Sequence, residues 1–342
     1  MKDIRSYSLD ELTEEFKSEL DLPAFRAKQV YKWLADGAES FDEMTNISKE
    51  MRNNLSNTYY ISVATIEKKL VSVYDKTVKY LFSFHDGEMV ESVVMHYHHG
   101  HTICISTQVG CKMGCTFCAT GQSGFSRDLM PSEMLAQIHA AQKDLGIRIS
   151  NIVLMGMGEP LDNYDNVIRF LRLVSDENNL NIGMRHISLS TCGLVNRIKE
   201  LEKEKLQLTL SVSLHAPNDE IRSRTMPVNK RYPINELLEA CRSYAKATGR
   251  RISFEYAMIS GVNDSDQCAK ELASKLKGML CHVNLIPVNP VKGTGYHKSA
   301  VERQQAFISI LGRHGITATV RRTLGADINA SCGQLRRQNL EE

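Results

Sequence analysis

The chain lacks the features that would tie it to a membrane or to export. Its first residues, MKDIRSYSLDELTEEF, contain no apolar signal core. No run approaches the ~18 apolar residues of a membrane helix. These absences predict a cytoplasmic protein with no membrane partner, whose thiols stay reduced. An excess of charge is also missing: 42 basic and 40 acidic residues give a formal net charge of +2, which neither requires nor excludes a nucleic acid. There is no low-complexity segment and no identical repeat. A second closely spaced cysteine pair is absent too, and that absence bears on the chemistry below.

At 342 residues and 42% hydrophobic, the chain can bury a substantial core. Ser8-Leu9-Asp10-Glu11 and Ser40-Phe41-Asp42-Glu43 read as capping boxes that open helices. Residues 1–60 are therefore expected to form a small helical accessory domain, with a basic middle at Arg26, Lys28 and Lys32. Residues 61–100 change period: ISVATI, VKYLFSF and MVESVVMHY alternate, and His85-Asp86-Gly87 supplies a turn, predicting a β-hairpin extension. From residue 101, the apolar runs TICIST, SNIVLMG, HISLST, LTLSVSL, ISFEYAM, HVNLIPV and ITATV alternate with helical spacings. That alternation predicts an α/β fold with a parallel sheet, curled into a full or partial (β/α) barrel over 101–335, before a short tail at 336–342. A doubly wound open sheet has the same periodicity and stays open as an alternative. In either layout the unusual residues fall at the carboxyl ends of strands, where such folds place function.

Three of the nine cysteines lie in CKMGCTFC, residues 111–118. At that density a chance C-x3-C-x2-C is rare, so a metal site is expected. A structural zinc ion wants four ligands; His101 or His139 would have to complete a Cys3His set. Iron–sulfur clusters are also held by cysteine thiolates, and three ligands to a four-iron cluster leave one iron open. The missing fourth cysteine thus leaves room for a ligand. Cys192, Cys241, Cys268 and Cys281 sit in apolar periodic contexts and are expected in the core. His96, His98, His99 and His101 are expected at a solvated hairpin end. Arg222, Arg224, Lys230, Arg231, Arg321 and Arg322 read, alone, as surface charge.

The cysteine triplet after a first barrel strand, with Gly156-Met157-Gly158-Glu159-Pro160 after the second, resembles the radical S-adenosylmethionine superfamily. FRAKQVYKWL, FDEMTNIS, CISTQVGCKMGCTFCATGQSGFSRDL, MGMGEPLDNYDNV, SVSLHAPNDEIRSRTMPVNKRYPI, GVND, HVNLIPVNP and CGQL follow in order between about residues 20 and 335. Together they resemble the RlmN/Cfr family, on the side of the adenine-C2 methyltransferases acting on 23S rRNA and tRNA. The resemblance implies a partial (β/α)6 radical SAM barrel. It implies that Cys111, Cys115 and Cys118 hold a [4Fe–4S] cluster. Gly158, Glu159, Ser190, Ser213, Leu214, His215 and Asn289 would contact S-adenosylmethionine, two molecules of which are used per turnover. Cys332 would carry the methyl group, Cys104 would resolve it through a disulfide, and Glu91 would accept the C2 proton. The implied partners are 23S rRNA, tRNA and an electron donor such as flavodoxin or ferredoxin, with the enzyme a monomer. Asn329 and Ser331 depart from the usual Asp and Ala before the last cysteine. A Cfr-type C8 methyltransferase is the alternative within the family, and a zinc-stabilised RNA-binding protein is the one outside it. The triplet generates a direct expectation: anaerobically reconstituted protein should contain iron and sulfide, whereas stoichiometric zinc without iron would contradict the cluster.

Overall fold

In the computed structural model, residues 1–289 and 294–330 are described; Cys332 lies outside them. The first helices are α1 (Leu9–Leu20), α2 (Ala24–Ala35) and α3 (Lys49–Thr58). At α1 the expected capping box is formed: Ser8 Oγ accepts the Glu11 N–H at 3.3 Å and the Glu11 carboxylate accepts the Ser8 N–H at 2.8 Å. The second box opens only one 3-10 turn, Phe41–Glu43. Phe41, Met44 and Ile47 recur every third residue and are all buried, a spacing that suits the tighter 3-10 helix. Leu12, Phe16, Val30, Leu34 and Leu55 join them in a core separate from that of the rest of the chain.

This helical unit is bolted down by buried polar groups. Arg5 donates to the Ser62 carbonyl at 2.7 Å and to the Ala38 carbonyl at 2.6 Å. The Asp3 carboxylate accepts from the hydroxyls of Ser62 and Ser132. These contacts explain one departure from the sequence reading. The expected strand at ISVATI begins only at Thr65, because Ser62 is spent on Arg5 and Asp3.

Ten strands form one sheet among the described residues: β1 (Thr65–Val71), β2 (Val78–Ser83), β3 (Met89–Tyr97), β4 (Gly100–Cys104), β5 (Ile149–Leu154), β6 (Ile187–Thr191), β7 (Thr209–Ser213), β8 (Ile252–Met258), β9 (Cys281–Pro287) and β10 (Ala318–Val320). Spatial order equals chain order throughout. The pairs from β1 to β4 are antiparallel and those from β4 to β10 are parallel. The β2–β3 turn is the expected one, with Gly87 at φ +80°. Because the order never reverses, right-handed crossovers carry every connecting helix to the same face. A doubly wound sheet needs a reversal, so the open alternative is excluded and a partial barrel results. Its connecting helices are α4 (Pro131–Leu145), α5 (Tyr164–Ser175), α6 (Val195–Lys203), α7 (Ile234–Thr248), α8 (Asp266–Leu276) and α9 (Val301–Arg313), together with the short Asp219–Thr225.

Strand alternation then sorts β2, β3 and β4 into two faces. Tyr80 and Ser92 face α4, donating to Asp144 at 2.6 Å and Gln137 at 2.7 Å. Lys79 pairs with Val93, and Val93 with Cys104, in register, so Lys79, Glu91 and Cys104 share the opposite face. The hairpin extension thereby continues the barrel wall rather than standing apart from it.

The Arg5 anchor is testable. Charge-assisted hydrogen bonds each contribute about 1.5–3 kcal/mol, so Arg5→Met is expected to lower stability by about 2–3 kcal/mol, read from the urea midpoint. An unchanged midpoint would show that the anchor is dispensable.

Candidate active site

The carboxyl ends of β4 to β9, with Arg321 just beyond β10, surround one cavity. Its lining includes Cys111, Cys115, Cys118, Gly158, Glu159, Ser190, Ser213, His215 and Asn289. With its open mouth included, the space is about 950 Å³. Leu214 is set behind the wall: it is fully buried, its N–H bonded to the Glu255 carbonyl and its carbonyl to Arg222 Nε.

The turn after β5 explains its glycines. A Cβ at Gly156 would lie 2.5 Å from the Ile105 carbonyl oxygen, and one at Gly158, whose φ is +103°, 2.8 Å from the Gln108 nitrogen. Only glycine permits that approach. The Met157 carbonyl can then accept the N–H groups of Thr107 and Gln108, and Gln108 Oε1 accepts the Glu159 N–H at 2.8 Å. The Glu159 carboxylate accepts the N–H of Leu161 at 3.0 Å and of Cys192 at 2.6 Å. The resemblance offers Glu159 as a contact of S-adenosylmethionine. In the structure it ties the β5 and β6 ends together, and its burial pushes its pKa up.

His215 sits at φ +56°. Its Nδ1 accepts the Ala257 N–H at 2.8 Å, and Phe117 meets its ring edge-on with centroids 4.8 Å apart. Burial, with the Arg222 charge nearby, pushes its pKa down to about 3, so the ring is neutral. Since Nδ1 accepts, the proton resides on Nε2, which makes that nitrogen a donor.

Arg222 corrects the sequence reading most sharply. It is fully buried, not surface charge. Its guanidinium donates to the carbonyls of Cys192 at 2.6 Å, Ser213 at 3.3 Å and Leu214 at 3.2 Å, and to Asn229 Oδ1 at 3.0 Å. One planar fork therefore fixes the ends of β6 and β7. Glu255 was also missed. It is buried in the cavity wall with its pKa raised by burial, accepting from Asn284 at 2.7 Å and lying 3.8 Å from Arg321. Cys192 lies in the same wall. A charged residue inside an otherwise apolar strand, as in ISFEYAM, was the available signal for Glu255.

Burial pushes the Cys111 thiol up to about 12 and raises Cys115 as well, so the bare thiols hold their protons. Metal binding must displace those protons. Thiolate donors suit zinc or iron–sulfur clusters. Neither histidine considered for zinc is in the cavity lining. His101 stands at the opposite end of β4, 2.9 Å from His96; His139 is buried on α4 against Gly37. Thiolates that each take a separate iron fit the arrangement, and a mononuclear Cys3His site does not.

A second cavity adjoins the first. Cys104, Val93, Met95, Leu324 and Ala330 line it, and it shares Ile286, Asn289 and Arg321 with the first. Glu91 lies beyond on the same sheet face, 2.8 Å from Lys79 in a buried ion pair, and lines a third space with Ile328 and Asn329. The described cysteines form no disulfide with one another.

A partial barrel whose rim carries three thiols beside a Gly-rich turn defines the radical S-adenosylmethionine class. Residues 105–272 match the family model of the radical SAM superfamily, and residues 3–61 that of the ribosomal RNA large subunit methyltransferase N-terminal domain. The solved radical SAM methyltransferase from Sphaerobacter thermophilus superposes with a TM-score of 0.95 at 44% identity, over 99% of this chain and 100% of that one. Dual-specificity RNA methyltransferases RlmN are similar along their whole length: 56% identical in Alkaliphilus oremlandii over 99% of this chain and 98% of that one, and 51% identical in Clostridium acetobutylicum over 100% and 99%. The chain belongs to the RlmN family.

Truncating a buried charged group that satisfies several carbonyls costs about 3–5 kcal/mol. Arg222→Met is expected to reach that range in urea unfolding, whereas Arg224→Met, on the exposed side of the same helix, should leave the midpoint unchanged. Equal effects would contradict the assignment of Arg222 as the rim tie.

Proposed function

We propose that this enzyme methylates C2 of an adenine in 23S rRNA and in tRNA through a methyl group carried on Cys332. The observation that supports the reading best is the shared wall of Ile286, Asn289 and Arg321. On one side lie the three thiols and the Gly158–Glu159 turn; on the other lie Cys104 and Ala330, two residues along the chain from Cys332. Cys111, Cys115 and Cys118 hold the cluster, which when bound supplies the one-electron chemistry that an electron-poor ring carbon requires. Backbone at Gly158 and Glu159, the hydroxyls of Ser190 and Ser213, the His215 Nε2–H and Asn289 orient S-adenosylmethionine.

The chain's own residues divide the remaining work. The Cys332 thiolate attacks the methyl carbon of S-adenosylmethionine and becomes a methyl thioether, while S-adenosylhomocysteine leaves with the electron pair of the broken S–C bond. Once the S-methyl group has given up a hydrogen atom to the 5′-deoxyadenosyl radical that bound S-adenosylmethionine would supply, and its carbon has bonded to C2, Glu91 takes the C2 proton and the odd electron would return to the cluster. The Cys104 thiolate then attacks the Cys332 sulfur, forming the S–S bond while the S–C electron pair stays with the carbon, which is protonated to methyl. An external thiol or electron donor of the flavodoxin or ferredoxin class resets the disulfide. C2 rather than C8 is favoured by Glu159-Pro160-Leu161 and by the helical unit of residues 3–61. We place the enzyme in the cytoplasm, acting as a monomer.

The thiol exchange makes a specific demand. Cys104→Ala should trap a covalent protein–RNA adduct, seen as a ribonuclease-sensitive slow band on a denaturing gel, and Cys104→Ala combined with Cys332→Ala should trap none. Normal turnover by Cys104→Ala, with no adduct, would overturn Cys104 as the resolving thiol.

A further inference from the structure

The tip of the β1–β2 hairpin reaches across to the segment that leads to Cys332. The Asp327 carboxylate accepts the Ser72 hydroxyl at 2.7 Å and the Val73 N–H at 3.0 Å. In return, the Asp75 carboxylate accepts the Gly325 N–H at 2.9 Å. Lys79, at the start of β2, donates to the Asn329 carbonyl at 3.3 Å. Three alternate residues of the segment, 325, 327 and 329, are thus each held by a different residue of the extension. The tip is itself internally braced: the Ser72 N–H donates to the Thr77 carbonyl at 2.8 Å, and Asp75 Oδ1 accepts the Thr77 N–H at 3.0 Å. Lys79 is the same residue that pairs with Glu91 at 2.8 Å.

We propose that the β1–β2 hairpin is a clasp that holds residues 325–330, which lead to Cys332, beside Glu91, with Asp75 and Asp327 as positioning residues and Lys79 coupling them to Glu91. The proposal rests on the reading of Cys332 as methyl carrier. Its physical basis is that two chemical partners on different parts of the chain must meet one adenine carbon. Glu91 is fixed by the sheet, whereas among the described residues no further strand follows β10. Polar contacts that accept specific N–H groups define height and rotation more narrowly than the apolar contacts of Leu324 and Ala330. Asn329 takes part through its backbone carbonyl, so its departure from the family's usual Asp leaves that contact intact. It adopts φ +50°, a conformation that asparagine tolerates well.

The experiment compares the full chain with Asp327→Ala, Asp327→Asn and Ser72→Ala. Hydrogen exchange on the protein without cofactor should show the Val73 amide losing protection in Asp327→Ala, with the thermal midpoint held because Asp327 is exposed. In the reconstituted enzyme, misplacement by about 1 Å costs on the order of 100-fold, so RNA methylation in Asp327→Ala should fall by about that factor. Cys332 should still acquire its methyl group, and 5′-deoxyadenosine released per methylated RNA should rise. Asp327→Asn keeps one of the two acceptor contacts and should be intermediate, as should Ser72→Ala. Unchanged Val73 exchange, or wild-type RNA methylation and coupling despite faster exchange, would overturn the clasp. Absence of a methyl group on wild-type Cys332 would instead overturn the underlying reading, and it is seen before any variant is compared.

Discussion

Gly156 and Gly158 let two backbone turns touch, and the barrel rim is assembled outward from that touch. The turn after β5 closes on the turn after β4 through the Met157 carbonyl. Gln108 then holds the Glu159 N–H, and Glu159 holds the Cys192 N–H. The Cys192 carbonyl receives Arg222, which also binds the ends of Ser213 and Leu214. From there the Leu214 and His215 amides reach the Glu255 carbonyl. This relay joins four strand ends without leaving them to loop entropy, and Gln108, Glu159, Cys192, Arg222 and Leu214 are buried, where an unmet partner is expensive. The cysteine loop is therefore presented to a rim that is fixed before any ligand enters.

Much of this was legible from residue pattern alone. Alternating apolar runs gave the strands because parallel strands covered by helices need continuous apolar stretches. The cysteine spacing and the GMGEP turn stood out because both are chemically costly unless used. The barrel itself, as against an open sheet, was not legible, since period does not encode spatial order. Strand order decided it, and strand order follows from long-range pairing.

Two kinds of residue escaped the sequence. Arg222 lies in NDEIRSRT among exposed neighbours, and nothing local distinguishes the arginine that turns inward from Arg224, which turns out. Lys79 in VKYLFSF reads as a solvent-facing position of an alternating strand. It is buried instead because the hairpin continues the barrel wall, and the segment after β10 covers the face that would otherwise meet water. The same continuation places Glu91 and Cys104 on one surface although thirteen residues separate them in the chain. The hydrogen bonds of the glycine rim and of the Arg222 tie run between the protein's own groups. Cys111 and Cys115, whose thiol pKa values are pushed up by burial, must lose their protons to hold a cluster.

In the proposed mechanism one S-adenosylmethionine site, beside the three thiols, serves both the methylation of Cys332 and the cluster-dependent transfer to RNA. Mass spectrometry of the peptide containing Cys332, from protein isolated from cells, tests it most directly. The account predicts an added methyl group on Cys332 in the wild type and its loss in Cys115→Ala, where the shared site is disrupted. An unmodified Cys332 in the wild type, or a methylated one in Cys115→Ala, would contradict it.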